Sequence, residues 1–289
     1  MAENSGKMIN PKAQQVQGEV ISNKRVGAYN HMVFAVNDLA AHCRPGNFVA
    51  ISVGGAASAM ILRRAFAIYR ASTRADGIGL LELVVAPYGN GSKWLAAQVP
   101  GDLVSMIAPL GTAFGIPTEP ISALLVGGGY GSAPLFALAE VLKNRGCQVH
   151  MVLGASSAGK IYAPLEGKRS VNGMTITTED GSAGTTGRVS DVLPALIVEH
   201  AIDVIYSCGP MMMLAAITEI SKIHNVVHQC SVEESMACGI GVCMTCVLPV
   251  IGDDGVARMT RTCIEGPVMD ASKVLWSSSR EIPEGVWGK

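Results

Sequence analysis

Residues Glu233 to Val247 read E-E-S-M-A-C-G-I-G-V-C-M-T-C-V and place Cys238, Cys243 and Cys246 within nine positions. A fourth cysteine, Cys263, follows after sixteen intervening residues in R-T-C-I-E-G-P-V. The C-x4-C-x2-C…C spacing is that of a plant-type [2Fe-2S] ligand set, in which four thiolates hold two irons. A loop this dense in thiolates must wind tightly, and Gly239 and Gly241 supply positions without side chains. The fourth ligand is expected to return from a hairpin with one arm over 256–261. Zinc is the competing occupant, but zinc ribbons usually present two close pairs rather than a triplet facing a distant single cysteine.

A chain of 289 residues has room for two or three domains, each with its own core. With 49% hydrophobic residues, 16% charged residues and 33 glycines it reads as globular and rich in tight turns, not disordered. Eight cysteines in a chain of this size, with no secretory signal, do not read as a disulfide framework. The net charge of −1, with no basic stripe, argues against a nucleic-acid partner. Two uncharged stretches, 45–62 and 120–139, are long enough to be mistaken for membrane spans. Gly54-Gly55 breaks the first, and Gly127 to Gly129, Gly131 and Pro134 break the second, so both are expected to be core strands of a cytoplasmic protein.

Working outward from the cysteines, the chain divides by hydrophobic period. After a frayed start ending near Pro11, the stretch from Val16 to Pro117 shows short apolar runs such as 32–36, 48–53 and 80–85 between glycines and prolines. An antiparallel β-barrel is predicted. Inside it, Arg63 and Arg64 stand at the mouth of the apolar strand R-A-F-A-I-Y. A half-buried arginine there needs an anionic partner, and a planar guanidinium suits a pyrophosphate or a flavin edge; a surface salt bridge is the bland alternative. Tyr88-Gly89-Asn90-Gly91-Ser92-Lys93-Trp94-Leu95 is expected to open a helix capped by Ser92, either an ordinary helix or a phosphate cradle.

From Ile121 strands alternate with helices, which implies an α/β unit with a parallel sheet. Strands are expected at 122–126, 148–153, 174–178 and 203–207, and helices at 135–143, 189–199 and 211–222. Gly127 to Pro134 and Cys208-Gly209-Pro210 both fall at carboxyl ends of strands, where such sheets bind nucleotides. The run Met211-Met212-Met213 is expected to pack its helix. Segment 154–160 carries neither a clear ribose-binding acid nor an arginine for a 2′-phosphate. His31, His42, His150, His200, His224 and His228 are scattered in sequence and are expected to be structural or on the surface. Cys43, Cys147 and Cys230 are expected to be small buried hydrophobes, and Trp276 and Trp287 to cover the core.

The order of barrel, dinucleotide unit and C-terminal cysteine motif resembles the electron-transfer subunits of dihydroorotate dehydrogenase B, within the ferredoxin–NADP reductase superfamily. Glu234 to Cys246, Cys263 to Val268 and Thr178-Glu179-Asp180-Gly181-Ser182 with Gly187 carry this resemblance over about 16–276. It implies a multidomain fold: an FAD-binding barrel (1–117), an α/β NAD domain (118–228) and a small [2Fe-2S] domain (229–289). The family's R-P-[IVF]-[ST] flavin signature aligns with Arg64, Ala65, Phe66 and Ala67, where alanine replaces both the proline and the hydroxyl residue. Val84, Val85 and Ala86 would run along the FAD, and Gly91 and Ser92 would hold its pyrophosphate. Gly127, Gly129, Gly131, Cys208, Gly209 and Pro210 would line the path of a transient NAD. Tyr130 replaces a small aliphatic residue and is expected to narrow the approach of NAD.

The resemblance further implies an FMN-containing catalytic partner in a heterotetramer of two plus two; hydride transfer needs no acid or base catalyst, and the residues offer none, nor a membrane span. Two rivals use the same residues. One is the flavin subunit of an NAD(P)H:ferredoxin oxidoreductase or sulfhydrogenase, and the other is an iron–sulfur redox sensor without flavin.

Overall fold

The computed structural model of the chain describes residues 10–55 and 58–276. Most of the expected frayed start, and Trp287, lie outside these residues. Six antiparallel strands close a barrel in the order β1-β2-β5-β4-β3-β6. They are β1 (Gln14–Val26), β2 (Tyr29–Ala35), β3 (Phe48–Ile51), β4 (Arg64–Thr73), β5 (Gly79–Val85) and β6 (Leu103–Leu110). Alternation builds the interior: Met32 and Phe34 on β2 and Leu81, Leu83 and Val85 on β5 are fully buried together with Val20, Ile51 and Met106. Each such side chain contributes about 1.5–3 kcal/mol by leaving water. Of the stretch 45–62, β3 alone forms a strand; the described residues after it run as a loop.

Helix α1 (Asn90–Ala96) follows β5. Its cap is Gly89, not Ser92. Ser92 sits in the first turn, where its Oγ accepts from the Gly89 amide and donates to the Gly89 carbonyl, both at 3.1 Å.

The second sheet has the order β10-β9-β8-β7-β11-β12-β15. Its members are β7 (Ser122–Gly128), β8 (Gln148–Ala155), β9 (Gly173–Thr178), β10 (Thr185–Thr186), β11 (Val204–Cys208) and β12 (Val227–Ser231), all parallel. Helices α2 (Ala133–Asn144), α3 (Pro164–Ser170), α4 (Val189–Glu199) and α5 (Met211–Ile223) connect them. Ala123, Leu124, Leu125 and Val126 of β7 are all fully buried, as expected of a central strand covered on both faces. The sheet runs on past residue 228, since β12 spans that point. The cysteine loop follows, then the hairpin β13 (Val247–Ile251) and β14 (Ala257–Arg261), and finally β15 (Val268–Asp270), which pairs antiparallel with β12. Trp276 covers the core under α5 and donates its indole N–H to the Ala271 carbonyl at 3.0 Å.

Barrel and sheet share one core. Tyr29, Tyr69 and Val84 pack with Phe136, Leu153, Tyr162 and Tyr206. At its edge Arg70 of β4 donates to Glu140 of α2 at 2.5 Å and to Glu166 of α3 at 2.9 Å, and the Tyr69 hydroxyl also donates to Glu166. This network ties the barrel to α2 and α3 of the sheet unit. Among the described residues no helix is long and apolar enough to cross a membrane.

Candidate functional site

The cysteine loop packs on the barrel. Cys246, Cys263 and Ile264 are buried with Phe48, Ala50 and Leu110, and Met236 and Ile240 close over them. The four thiols stand as two neighbouring pairs, Cys238 beside Cys243 and Cys246 beside Cys263. That is the donor arrangement two sulfide-bridged irons require, each taking two protein thiolates. The described residues include no group of three or more His, Cys, Asp or Glu placed to hold a metal ion, so the two-and-two grouping is the fit they offer.

The loop also supplies an amide to sulfur. Ile240 N–H donates to Cys238 Sγ at 3.4 Å, and the Gly241 backbone lies beside the Cys263 thiol. Hydrogen bonds from Thr245 and then Cys238 draw the exposed Cys243 thiol down to about 6, whereas burial, then Cys246, pushes Cys263 up to about 12. A metal would take all four as thiolates.

A cavity of about 430 Å³ lies between barrel and sheet, beside this loop. The sequence-predicted residues Arg64, Ala65, Phe66, Ala67, Val84, Ala86, Gly91 and Ser92 all line it, as do Gly131, Cys208 and Gly209. Val85 does not: successive strand residues face opposite sides, so Val84 meets the cavity while Val85 fills the barrel core. The two arginines separate similarly. Arg63 turns to the barrel backbone, donating to the carbonyls of Ala50 (3.4 Å) and Ser105 (3.1 Å). Arg64 stays at the cavity against the start of α1, where a Cβ on Gly91 would come within 3.0 Å of its Nε. A guanidinium beside free first-turn amides is a site for a pyrophosphate. Phe48 and Met236, which the sequence did not single out, line the cavity and also pack on the cysteine loop.

A second cavity of about 770 Å³ opens at the carboxyl ends of the parallel strands. Between β7 and β11 the strand order reverses, and the register pairs Cys208 with Gly127, which brings the two glycine motifs together at the switch point. Gly129, Gly131, Gly209 and Pro210 line the cavity. Gly127 lines neither cavity but lies under the turn, where a Cβ would meet Ser132 Cβ at 2.5 Å. The methionine run is split: Met213 packs against Gly128 and Gly209, while Met212 is 75% exposed at the cavity rim rather than packed. Glu179, Gly187 and Arg188 also line the cavity, as does Thr177, whose buried hydroxyl has no hydrogen-bond partner. An orphaned hydroxyl beside a cavity of this size suits a polar ligand. Arg188 was missed because only the fold carries it to the sheet's end.

Tyr130 and Glu233 line both cavities and stand on the wall between them. The Tyr130 hydroxyl donates to Glu233 Oε1 at 2.6 Å and lies 2.9 Å from the Tyr88 hydroxyl. Burial, and then the bond to Glu233, holds the Tyr130 phenol above its ordinary value. The partners that hold the ring come from the barrel side and from the segment entering the cysteine loop.

Other readings are corrected in detail. His150 and His200 are not apart: their rings stack at 3.6 Å and 16°, and burial, then the neighbouring ring, lowers His150. Cys147 and Cys230 are buried, but Cys43 is half-buried with its thiol directed at the Leu39 carbonyl. Burial pushes Cys208 and Cys230 up to about 12.

Residues 233–275 match the family model described as the iron–sulfur cluster binding domain of dihydroorotate dehydrogenase B. The chain is 37% identical over 235 residues to the dihydroorotate dehydrogenase B (NAD(+)) electron transfer subunit of Bacillus caldolyticus, covering 80% of this chain and 87% of that one. It is 34% identical to the subunit of the same name from Caldanaerobacter subterraneus subsp. tengcongensis, covering 91% and 99%. Among solved structures, a chain of the NADH-dependent reduced ferredoxin-NADP oxidoreductase, described in connection with flavin-based electron bifurcation, superposes with a TM-score of 0.78. It is 26% identical, and 90% of each chain is covered.

Proposed function

Because the chain belongs to the family of dihydroorotate dehydrogenase B electron transfer subunits, we propose that it relays electrons from a separate FMN-containing catalytic subunit to NAD⁺, using a [2Fe-2S] cluster and FAD. The observation that carries this is the double role of Phe48 and Met236, which put the cysteine loop and the arginine-lined cavity in direct packing contact. FAD exchanges a hydride with NAD and single electrons with a [2Fe-2S] centre, which carries one at a time.

The chain's own residues supply placement. Cys238, Cys243, Cys246 and Cys263 would hold the irons. Arg64 and the first turn of α1 at Gly91 and Ser92 would hold the FAD pyrophosphate, with Val84, Ala86 and the backbone at Ala65 to Ala67 along the flavin. Gly129, Gly131, Gly209 and Pro210 leave the backbone open to a nicotinamide nucleotide, with Cys208 next to them on the lining of the flavin cavity. Glu179 is an acid available to a ribose diol and Arg188 a cation available to a 2′-phosphate; the name of the relatives favours NAD. No acid or base catalyst is needed for hydride transfer itself.

Val242 and Met244 are 74% and 53% exposed on either side of Cys243, an apolar rim at which the catalytic subunit would dock, two copies of each making a heterotetramer in the cytoplasm. The likeness to the ferredoxin-NADP oxidoreductase chain favours a second reading, the flavin subunit of an NAD(P)H:ferredoxin oxidoreductase. Anaerobic co-purification with its partner, flavin identification and an assay of dihydroorotate-dependent NAD⁺ reduction test the first reading. An FMN partner and activity only in the complex support it. A partner rich in iron–sulfur clusters and inert to dihydroorotate supports the second, and cluster absorbance without flavin bands would reduce the chain to a redox sensor.

A further inference from the structure

We infer that Arg261 and Glu265 form a charged clamp across the cysteine site that tunes its reduction potential in opposite directions, Arg261 raising it and Glu265 lowering it. The inference rests on the reading of the four cysteines as a [2Fe-2S] site. Arg261 ends β14 two residues before Cys263, and Glu265 lies two residues after it. The Arg261 Nη2 donates to Glu265 Oε1 at 3.0 Å, and its Nη1 donates to the Gly241 carbonyl at 3.0 Å. Gly241 lies between Cys238 and Cys243 in the chain, with its backbone beside the Cys263 thiol. One guanidinium therefore ties the close triplet to the returning ligand.

The pair is not an ordinary surface bridge. Its side chains are 26% and 24% exposed, and Glu265 Oε2 is buried without a hydrogen-bond partner. An unpartnered buried carboxylate oxygen is costly, so its place beside a ligand cysteine calls for a role. Electrostatics supplies one. A centre that gains an electron is easier to reduce beside a positive charge and harder beside a negative one, and amides donated to sulfur ease reduction further. Arg261 contributes the charge and, through the Gly241 carbonyl, holds the cysteine loop in place. Glu265 opposes the charge while orienting the fork, which makes both of them positioning residues.

The test is an EPR-monitored redox titration of the purified protein, with iron counted per chain, for the wild type, Arg261→Gln, Glu265→Gln and the double variant. Arg261→Gln is expected to move the midpoint to more negative potential, Glu265→Gln to more positive, and the double variant to fall between them. A purely structural role would lower iron content in both without shifts of opposite sign. Shifts of the same sign, or none, overturn the clamp. If Arg261→Gln loses its iron, Glu265→Gln decides alone, because glutamine keeps an acceptor for Arg261: an unchanged or more negative midpoint then refutes the inference. A wild type without iron and without a [2Fe-2S] signal would sink the cysteine reading itself, a distinguishable result.

Discussion

Replacing Gly241 by alanine should empty the cysteine site while leaving barrel and sheet folded. Gly241 has φ +83°, in the left-handed region, where an L side chain costs about 1–2 kcal/mol. A Cβ there would also meet Ile264 Cγ1 at 2.5 Å and Cδ1 at 3.0 Å. Ile264 is 7% exposed and packed beside Cys263, so it has little room to yield, and overpacking of this kind costs about 1–3 kcal/mol. Together the two effects reach about 2–5 kcal/mol. The strain falls on a residue held by Arg261 and pressed against Ile264, the neighbour of Cys263, so it is relieved by moving a ligand. Gly255 is the matched control: it has φ +77°, but no atom lies within 4 Å of an added Cβ. Gly255→Ala carries backbone strain alone, away from the ligands. Both variants are purified anaerobically and compared by iron per chain, visible absorbance, EPR after reduction, flavin content and circular dichroism. Gly241→Ala is expected to lose most of its iron and EPR signal with flavin and secondary structure retained, and Gly255→Ala to keep all of them. Wild-type iron and EPR in Gly241→Ala would refute the reasoning.

Three further outcomes are expected. Tyr130→Val removes the ring from the wall between the cavities along with a bond to a carboxylate worth about 1.5–3 kcal/mol, so KM for NADH in flavin bleaching should fall about tenfold with kcat little changed; a raised KM would contradict this. Arg64→Met should weaken flavin retention at least tenfold, about 1.4 kcal/mol of a charge-assisted contact, read by reconstituting the flavin-free protein with FAD. Burial lowers His228 to about 3, with its ring bonded to Ser207 Oγ at 2.6 Å and Thr218 Oγ1 at 3.2 Å, so the fold prefers the neutral ring. That preference is fully present above the free value of 6.5 and is lost as pH falls from there toward 3. Urea unfolding should therefore show a loss of about 2 kcal/mol between pH 7 and pH 5, and His228→Gln should flatten it.

The iron–sulfur binding domain was legible from sequence because its cysteine spacing is local: three of the four cysteines fall within nine consecutive residues. The βα alternation from β7 to α5 was legible for the same reason, each run carrying its own period. What escaped reading depends on long-range pairing or on phase. Strand β15 has three residues and gains its identity from pairing Asp270 with Gln229. Helix α3, P-L-E-G-K-R-S, is short and holds a glycine, so no periodic face announces it. The side chain of Val85 faces the barrel core, because a one-residue step along a strand exchanges wall for core. Tyr130 and Glu233 are far apart in the chain, as are His150 and His200, and neither pair leaves a trace in spacing.

The pairing of β15 with β12 also bears on how such a chain is assembled and engineered. An iron-binding segment that donates the last strand of its neighbour's sheet cannot be cut away as a cassette. A chain ending after Ser231 would leave the edge of β12 bare, with unpaired amides and carbonyls open to other chains. Grafting a foreign ferredoxin loop at that junction must therefore restore a strand before it can restore a metal.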